Sequence, residues 1–120
     1  MSYKFLDHST DAIIEINAKD LKEAFSVAAD AVINLTLDQD KVEEKESKEF
    51  VSQGKDLYYL LFSWLEEIPF ILITEGFAIK RIEFSIEKND FYKINAKAFG
   101  ETLDLKKHNF KVEIKAPTFY

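Results

Sequence analysis

Two alternating segments around a turn signal constrain this chain most. Ile82, Phe84 and Ile86 alternate with Glu83, Ser85 and Glu87; Lys88-Asn89-Asp90 follows; then Ile94, Ala96 and Ala98 alternate with Asn95 and Lys97. A period of two sends each apolar set to one face, so Phe77 to Glu87 and Phe91 to Phe99 read as a β-hairpin. One face of that hairpin is polar and the other demands apolar cover.

Two stretches with helical spacing can supply the cover. Asp20 with Glu23 three residues on makes a capping-box-like start. Leu21, Ala24, Phe25, Ala28, Val32 and Leu35 then predict an amphipathic helix from Asp20 to about Leu35. A second helix opens near Asp56, with Leu57, Leu60, Leu61, Trp64, Leu65 and Ile68 on one stripe and Tyr58 and Phe62 beside it. Pro69 removes the hydrogen bond to Leu65 and should kink or end this helix. Phe70 to Thr74 is read as helix continuing past the kink, with Gly76 as its stop.

Shorter segments complete the sheet. Tyr3 to Leu6 is apolar, and Ala12 to Ala18 alternates through Ile14 and Ile16. Val42 to Ser52 is charged in its first half, which fits an edge strand, and Phe110, Val112, Ile114 and Ala116 predict one strand more. The expected fold class is α+β: a mixed or mostly antiparallel sheet of about six strands with two main helices packed on it.

Residues 1–120 read as a single domain, because no repeat, low-complexity tract or linker composition interrupts them. A chain of this length buries about two-thirds of its unfolded surface, enough for a core without staples. With no cysteine, a disulfide framework, a thiolate zinc site and a cysteine nucleophile are excluded. Three glycines and two prolines leave no room for a Gly-rich phosphate loop. The longest apolar stretch, Leu57 to Ile73, is broken by Ser63, Glu66, Glu67 and Pro69, so no membrane partner is expected. With no signal pattern at the N-terminus either, the cytoplasm is the expected address.

Charge is uneven along the chain. Residues 1–79 carry 7 lysines and 16 acidic residues, whereas residues 80–120 carry 9 Lys/Arg and 6 acidic residues. The net charge of -6 makes stable direct nucleic-acid binding unexpected. The basic last third reads as a solvated face before it reads as an RNA surface.

The densest polar run is Asp7-His8-Ser9-Thr10-Asp11, between two expected strands. Its carboxylates and imidazole suit cation binding or proton transfer, although a turn bonding its own backbone explains the same composition. A Ser/His/Asp triad from Ser9, His8 and Asp11 fails because adjacent residues of an extended chain point opposite ways. His8 and His108 together are too few for zinc. Lys106, Lys107, Lys111 and Lys115 offer an anion site or simply a solvated basic face, and Trp64 at helical spacing reads as core.

Taken together and in order, several segments resemble the archease family. They are Leu6-Asp7-His8-Ser9-Thr10-Asp11, Lys19 through Phe25, Asp56-Leu57 through Glu66-Glu67, and Thr74-Glu75-Gly76-Phe77. Gly100-Glu101-Thr102-Leu103-Asp104 with Lys107-His108 follows, then Val112 through Ala116 before Thr118-Phe119-Tyr120. The resemblance implies a protein cofactor rather than an enzyme: an activator of the GTP-dependent tRNA-splicing RNA ligase, promoting its guanylylation and multiple turnover. It implies a divalent cation, calcium first and magnesium or manganese as alternatives, held in part by Asp11. Asp7, His8, Lys107, His108 and Lys115 become candidates for ligase contact or for orienting the site. The sequence departs from the family pattern with Ser-Thr in place of Thr-Ala in the loop, with Ala12-Ile13, and with Pro69 and Pro117. The family also implies about 20 residues beyond the position of Tyr120, the length of a turn and strand ending in an acidic residue, which this sequence is expected to lack. Other readings are a general chaperone or assembly module, using the Tyr58 and Phe62 pair or the acidic half, and a small hydrolase using His8 and Asp11. A monomer or a weak dimer is expected.

Overall fold

The computed structural model describes residues 2–6, 13–17 and 20–111, the first two ranges as backbone strands. The element order is β1 (Ser2–Leu6), β2 (Ile13–Asn17), α1 (Leu21–Thr36), a short 3-10 turn (Gln39–Lys41), β3 (Glu46–Gly54), α2 (Leu57–Pro69), a π-helical turn (Phe70–Thr74), β4 (Phe77–Lys88) and β5 (Tyr92–Thr102). β1 and β2 pair antiparallel as one two-stranded unit, and β3, β5 and β4 form a second antiparallel sheet in that order. The α+β class stands, but the expected sheet of about six strands does not. The described residues form five strands in two sheets, because the β1–β2 hairpin packs on α1 instead of joining the larger sheet. Alternation reports a half-buried strand without saying which sheet receives it.

The predicted hairpin is β4–β5, and its inward residues are those the alternation selected. Across one row Phe50, Ala96 and Phe84 are register partners. The small Ala96 between two phenylalanines leaves a trough, and the Trp64 indole of α2 fills it. Its ring lies 5.6 Å from Phe50, 5.0 Å from Phe84 and 6.2 Å from Phe25 of α1. Its buried Nε1–H donates to the Phe25 carbonyl at 2.9 Å, so the indole carries no unpaired donor into the core. Leu60, Ile68, Ile71 and Leu72 complete the stripe, while Leu57 at its start stays exposed.

Helix capping follows the sequence. Asp20 accepts from the Glu23 N–H at 2.8 Å, and Asp56 accepts from the Tyr59 N–H at 2.9 Å. Around α1 burial spreads wider than the predicted stripe: Val27, Ala29, Ala31 and Ile33 are buried as well, and the helix touches β1 and β2 as well as α2 and β4. Pro69 does not end its helix. The Phe70 N–H donates to the Glu66 and Glu67 carbonyls, and the chain continues as a wider π turn in which the Glu75 N–H donates to the Phe70 carbonyl. Gly76 then stops it at φ 62°, a left-handed conformation that glycine adopts without a Cβ penalty. By length and composition Leu57–Thr74 would suffice to cross a membrane. In this fold its apolar stripe is spent on the sheet.

The charged edge strand is β3, beginning at Glu46 rather than Val42, and it pairs on one side with β5. Its Ser52 hydroxyl is buried and has no hydrogen-bond partner among the described residues. Leaving a buried hydroxyl unpaired costs roughly 1–3 kcal/mol. Ser52→Ala is therefore expected to stabilise the fold by about 1 kcal/mol, seen as a higher urea midpoint at unchanged slope. A lower midpoint would show that the hydroxyl is used.

The strand expected over Phe110 to Ala116 does not begin at Phe110. Asn109 turns the chain at φ 52°, and the Lys111 N–H donates to the Thr36 carbonyl at the end of α1. Residues 112–120 lie outside the described residues.

Candidate functional site

Of the residues singled out in the sequence, Asp7, His8, Asp11 and Lys115 lie outside the described residues. Leu6 and Ile13, which flank the Asp7–Asp11 segment, are register partners at the end of the β1–β2 pair. Lys107 and His108 are described, and the fold gathers them with Glu101, Glu43, Lys45 and Asp104 where the loop after β5 meets the loop before β3.

Glu101 is the centre of this cluster. It ends the alternation of β5 and is 6% exposed, and its carboxylate collects donors from both loops. The Glu43 backbone N–H donates to Oε2 at 2.9 Å, and the His108 Nε2 lies 2.9 Å from the same oxygen. Lys107 Nζ sits 2.9 Å away, and Lys45 Nζ is 3.5 Å from Oε1. His108 is completely buried, and its Nδ1 accepts the Asp104 backbone N–H at 2.9 Å. With Nδ1 an acceptor, the ring proton belongs on Nε2, which donates to Glu101. The His108 carbonyl accepts from the Asp38 N–H at 2.8 Å, tying this loop to the end of α1. Asp104 turns the loop by accepting the backbone N–H groups of Lys106 and Lys107, each at 3.0 Å.

These contacts depress the carboxylates. The His108 hydrogen bond, then the Glu43 N–H and Lys107, hold Glu101 well below the ordinary carboxylate range. Lys45 and Lys107 lower Glu43, and the Lys107 and Lys106 amides lower Asp104. Lys111, followed by Asn109, brings Asp38 down from 3.8 to about 2. Each group binds its proton more weakly in the folded chain than in the unfolded one. The unfolded chain then takes up more protons as pH falls, so the stabilisation is complete above ordinary carboxylate values and is lost as pH drops toward the folded ones. The urea midpoint is expected to hold level above about pH 5 and to fall steadily between about pH 4.5 and 2. A midpoint unchanged down to about pH 3 would contradict the network.

The charge asymmetry of the sequence is resolved here. Cations of the last third pair with acids that follow α1: Lys107 with Glu43, Lys111 with Asp38 at 2.8 Å, and Arg81 with Glu44 at 2.9 Å. Lys107 and Lys111 are thus engaged, and they do not form the open anion site that the lysine run allowed. Among the described residues no group of three or more His, Asp or Glu could hold a metal ion. Glu101 brings one carboxylate already taken by nitrogen donors, whereas calcium takes 6–8 oxygens. The described residues therefore do not fit a cation, and no step is derived through one. What the arrangement can do is present ammonium groups on a rigid base, Lys107 at 2.9 Å and Lys45 at 3.5 Å from Glu101. Sequence reasoning had Glu101 inside a motif without singling it out; it falls on the same phase of β5 as the polar Asn95 and Lys97, so the alternation gave no sign of its burial.

The chain matches the Archease protein family (MTH1598/TM1083) over residues 3–120. It is 40% identical over 122 residues to the protein archease of Pyrobaculum islandicum, spanning 100% of this chain and 83% of that one. With the protein archease of Pyrococcus abyssi it shares 39% identity over 119 residues, spanning 98% and 84%. The solution structure of Methanobacterium thermoautotrophicum protein 1598 superposes with a TM-score of 0.77 at 31% identity, covering 98% of this chain and 84% of that one. With a match running through nearly every element and a shared fold, this chain belongs to the archease family.

Proposed function

We propose that the chain is a protein cofactor that activates the GTP-dependent tRNA-splicing RNA ligase, promoting guanylylation and multiple turnover. Family membership across residues 3–120 carries this reading. The proposal includes a divalent cation, calcium first, bound in part through Asp11, and a cytoplasmic setting. Of the two described candidates, Lys107 has an ammonium at the surface, with its side chain 38% exposed, and is the one suited to touch a partner. His108, fully buried, is suited to orienting it.

The test is joining of tRNA exon halves by limiting ligase. Adding this chain is expected to carry the reaction past one product per ligase molecule, and the chain alone is expected to join nothing. Joining that stops at one turnover with or without the chain would overturn the proposal. Turnover by the chain alone would favour an enzyme.

A further inference from the structure

Lys107 is held by two carboxylates of different kinds. Glu43, with its side chain 60% exposed, lies 3.2 Å from the ammonium and can give way to a partner's carboxylate or phosphate without uncovering a buried charge. Glu101 cannot give way. Its side chain is 8% exposed, its Oε2 also accepts from the His108 ring and the Glu43 amide, and Lys45 lies 3.5 Å from its Oε1. His108 is fixed in turn by the Asp104 amide and through its own carbonyl by Asp38. The chain of contacts runs from β5 through two buried side chains to the ends of both loops, and of the two ammonium groups that reach solvent Lys107, 2.9 Å from Glu101, is held more closely than Lys45 at 3.5 Å. A flexible lysine held this way reaches a partner with its ordering already complete.

We propose that Glu101, braced by His108, is a positioning residue that holds the Lys107 ammonium in the orientation a partner meets. The proposal rests on the reading of Lys107 as the ligase contact. It assigns Glu101 no contact of its own, because its burial rules that out.

The experiment measures the concentration of chain giving half-maximal stimulation of ligase guanylylation for Glu101→Gln, Lys107→Ala and the double variant, each first confirmed folded by its melting curve. Removing a residue that orients a metal ligand typically costs about 10–100-fold, and the lower end of that range is taken for an oriented ammonium. Glu101→Gln should raise the half-maximal concentration about tenfold with the maximal rate kept. In the Lys107→Ala background the same change should add nothing. Wild-type behaviour of Glu101→Gln, or a double variant showing the product of both single effects, would overturn the proposal. If Glu101→Gln does not fold, Glu101→Asp, which keeps the charge but withdraws the carboxylate from Lys107 by one methylene, carries the same comparison. A second arm needs no ligase: labelling with an amine-reactive reagent, using Lys106 as internal reference. Lys107 should label several-fold faster in Glu101→Gln than in the wild-type chain, and equal labelling would overturn the proposal. Should the wild-type chain fail to stimulate the ligase, the activator reading falls while the labelling arm still decides whether Glu101 positions Lys107.

Discussion

Asp11→Ala is expected to abolish stimulation of ligase guanylylation while shifting the melting temperature by no more than about 3 °C. The second half follows from placement in the sequence. Asp11 ends a polar run between two short strands and belongs to none of the apolar stripes that build the core. Substitutions away from core, caps and buried networks stay within about 0.5 kcal/mol, which is a few degrees for a domain of this size. The first half follows from chemistry. In the proposed cation site a hard cation would be held by oxygens, and alanine would remove one negatively charged ligand outright. Asp11→Asn, which keeps a carbonyl oxygen without the charge, should retain partial stimulation that recovers as calcium is raised. Full stimulation by a folded Asp11→Ala chain would remove Asp11 from the account.

Trp64→Ala should be the most destabilising single change in the core. Trp64 is fully buried, packs against three phenylalanine rings from α1, β3 and β4, and donates to the Phe25 carbonyl. Truncating a buried tryptophan costs about 3–5 kcal/mol, set against a total stability of about 5–15 kcal/mol for a typical domain. The urea midpoint should drop by roughly 2 M. Trp64→Phe should lie between, since it fills most of the trough over Ala96 but gives up the Nε1–H bond to the Phe25 carbonyl. A loss under about 1 kcal/mol for Trp64→Ala would mean that the three rings close over the gap and that the trough is not the keystone of the packing.

What could be read from the sequence was local. Alternation through Ile82, Phe84, Ile86, Ile94, Ala96 and Ala98 is a direct imprint of one buried face, and it located the hairpin and its turn. Asp20 and Asp56 announced the helix starts because a capping side chain acts within three residues. The destination of β1 and β2 was not legible, since nothing in a five-residue strand says which element covers it. Pro69 signalled a change near it, but the α-helix runs through Pro69 and gives way to a π turn only after it, with Ile71 and Leu72 in the core. A residue-by-residue pattern does not distinguish that turn from a continuing α-helix. The site was readable in part. Lys107 and His108 were singled out through the family resemblance, yet their separate roles depend on burial, which places one at the surface and the other beneath it. Glu101 stayed hidden because its partners come from positions 43, 45, 107 and 108, and the opposing charges of the two halves showed their pairing only once folded.

The central claim is tested most directly by single-turnover guanylylation of the tRNA-splicing ligase with GTP, with and without this 120-residue chain, across a calcium and magnesium series. Faster guanylylation in the presence of the chain, dependent on added divalent cation and lost with chelator, is the result predicted. A rate that is the same with and without the chain at every metal concentration would contradict it.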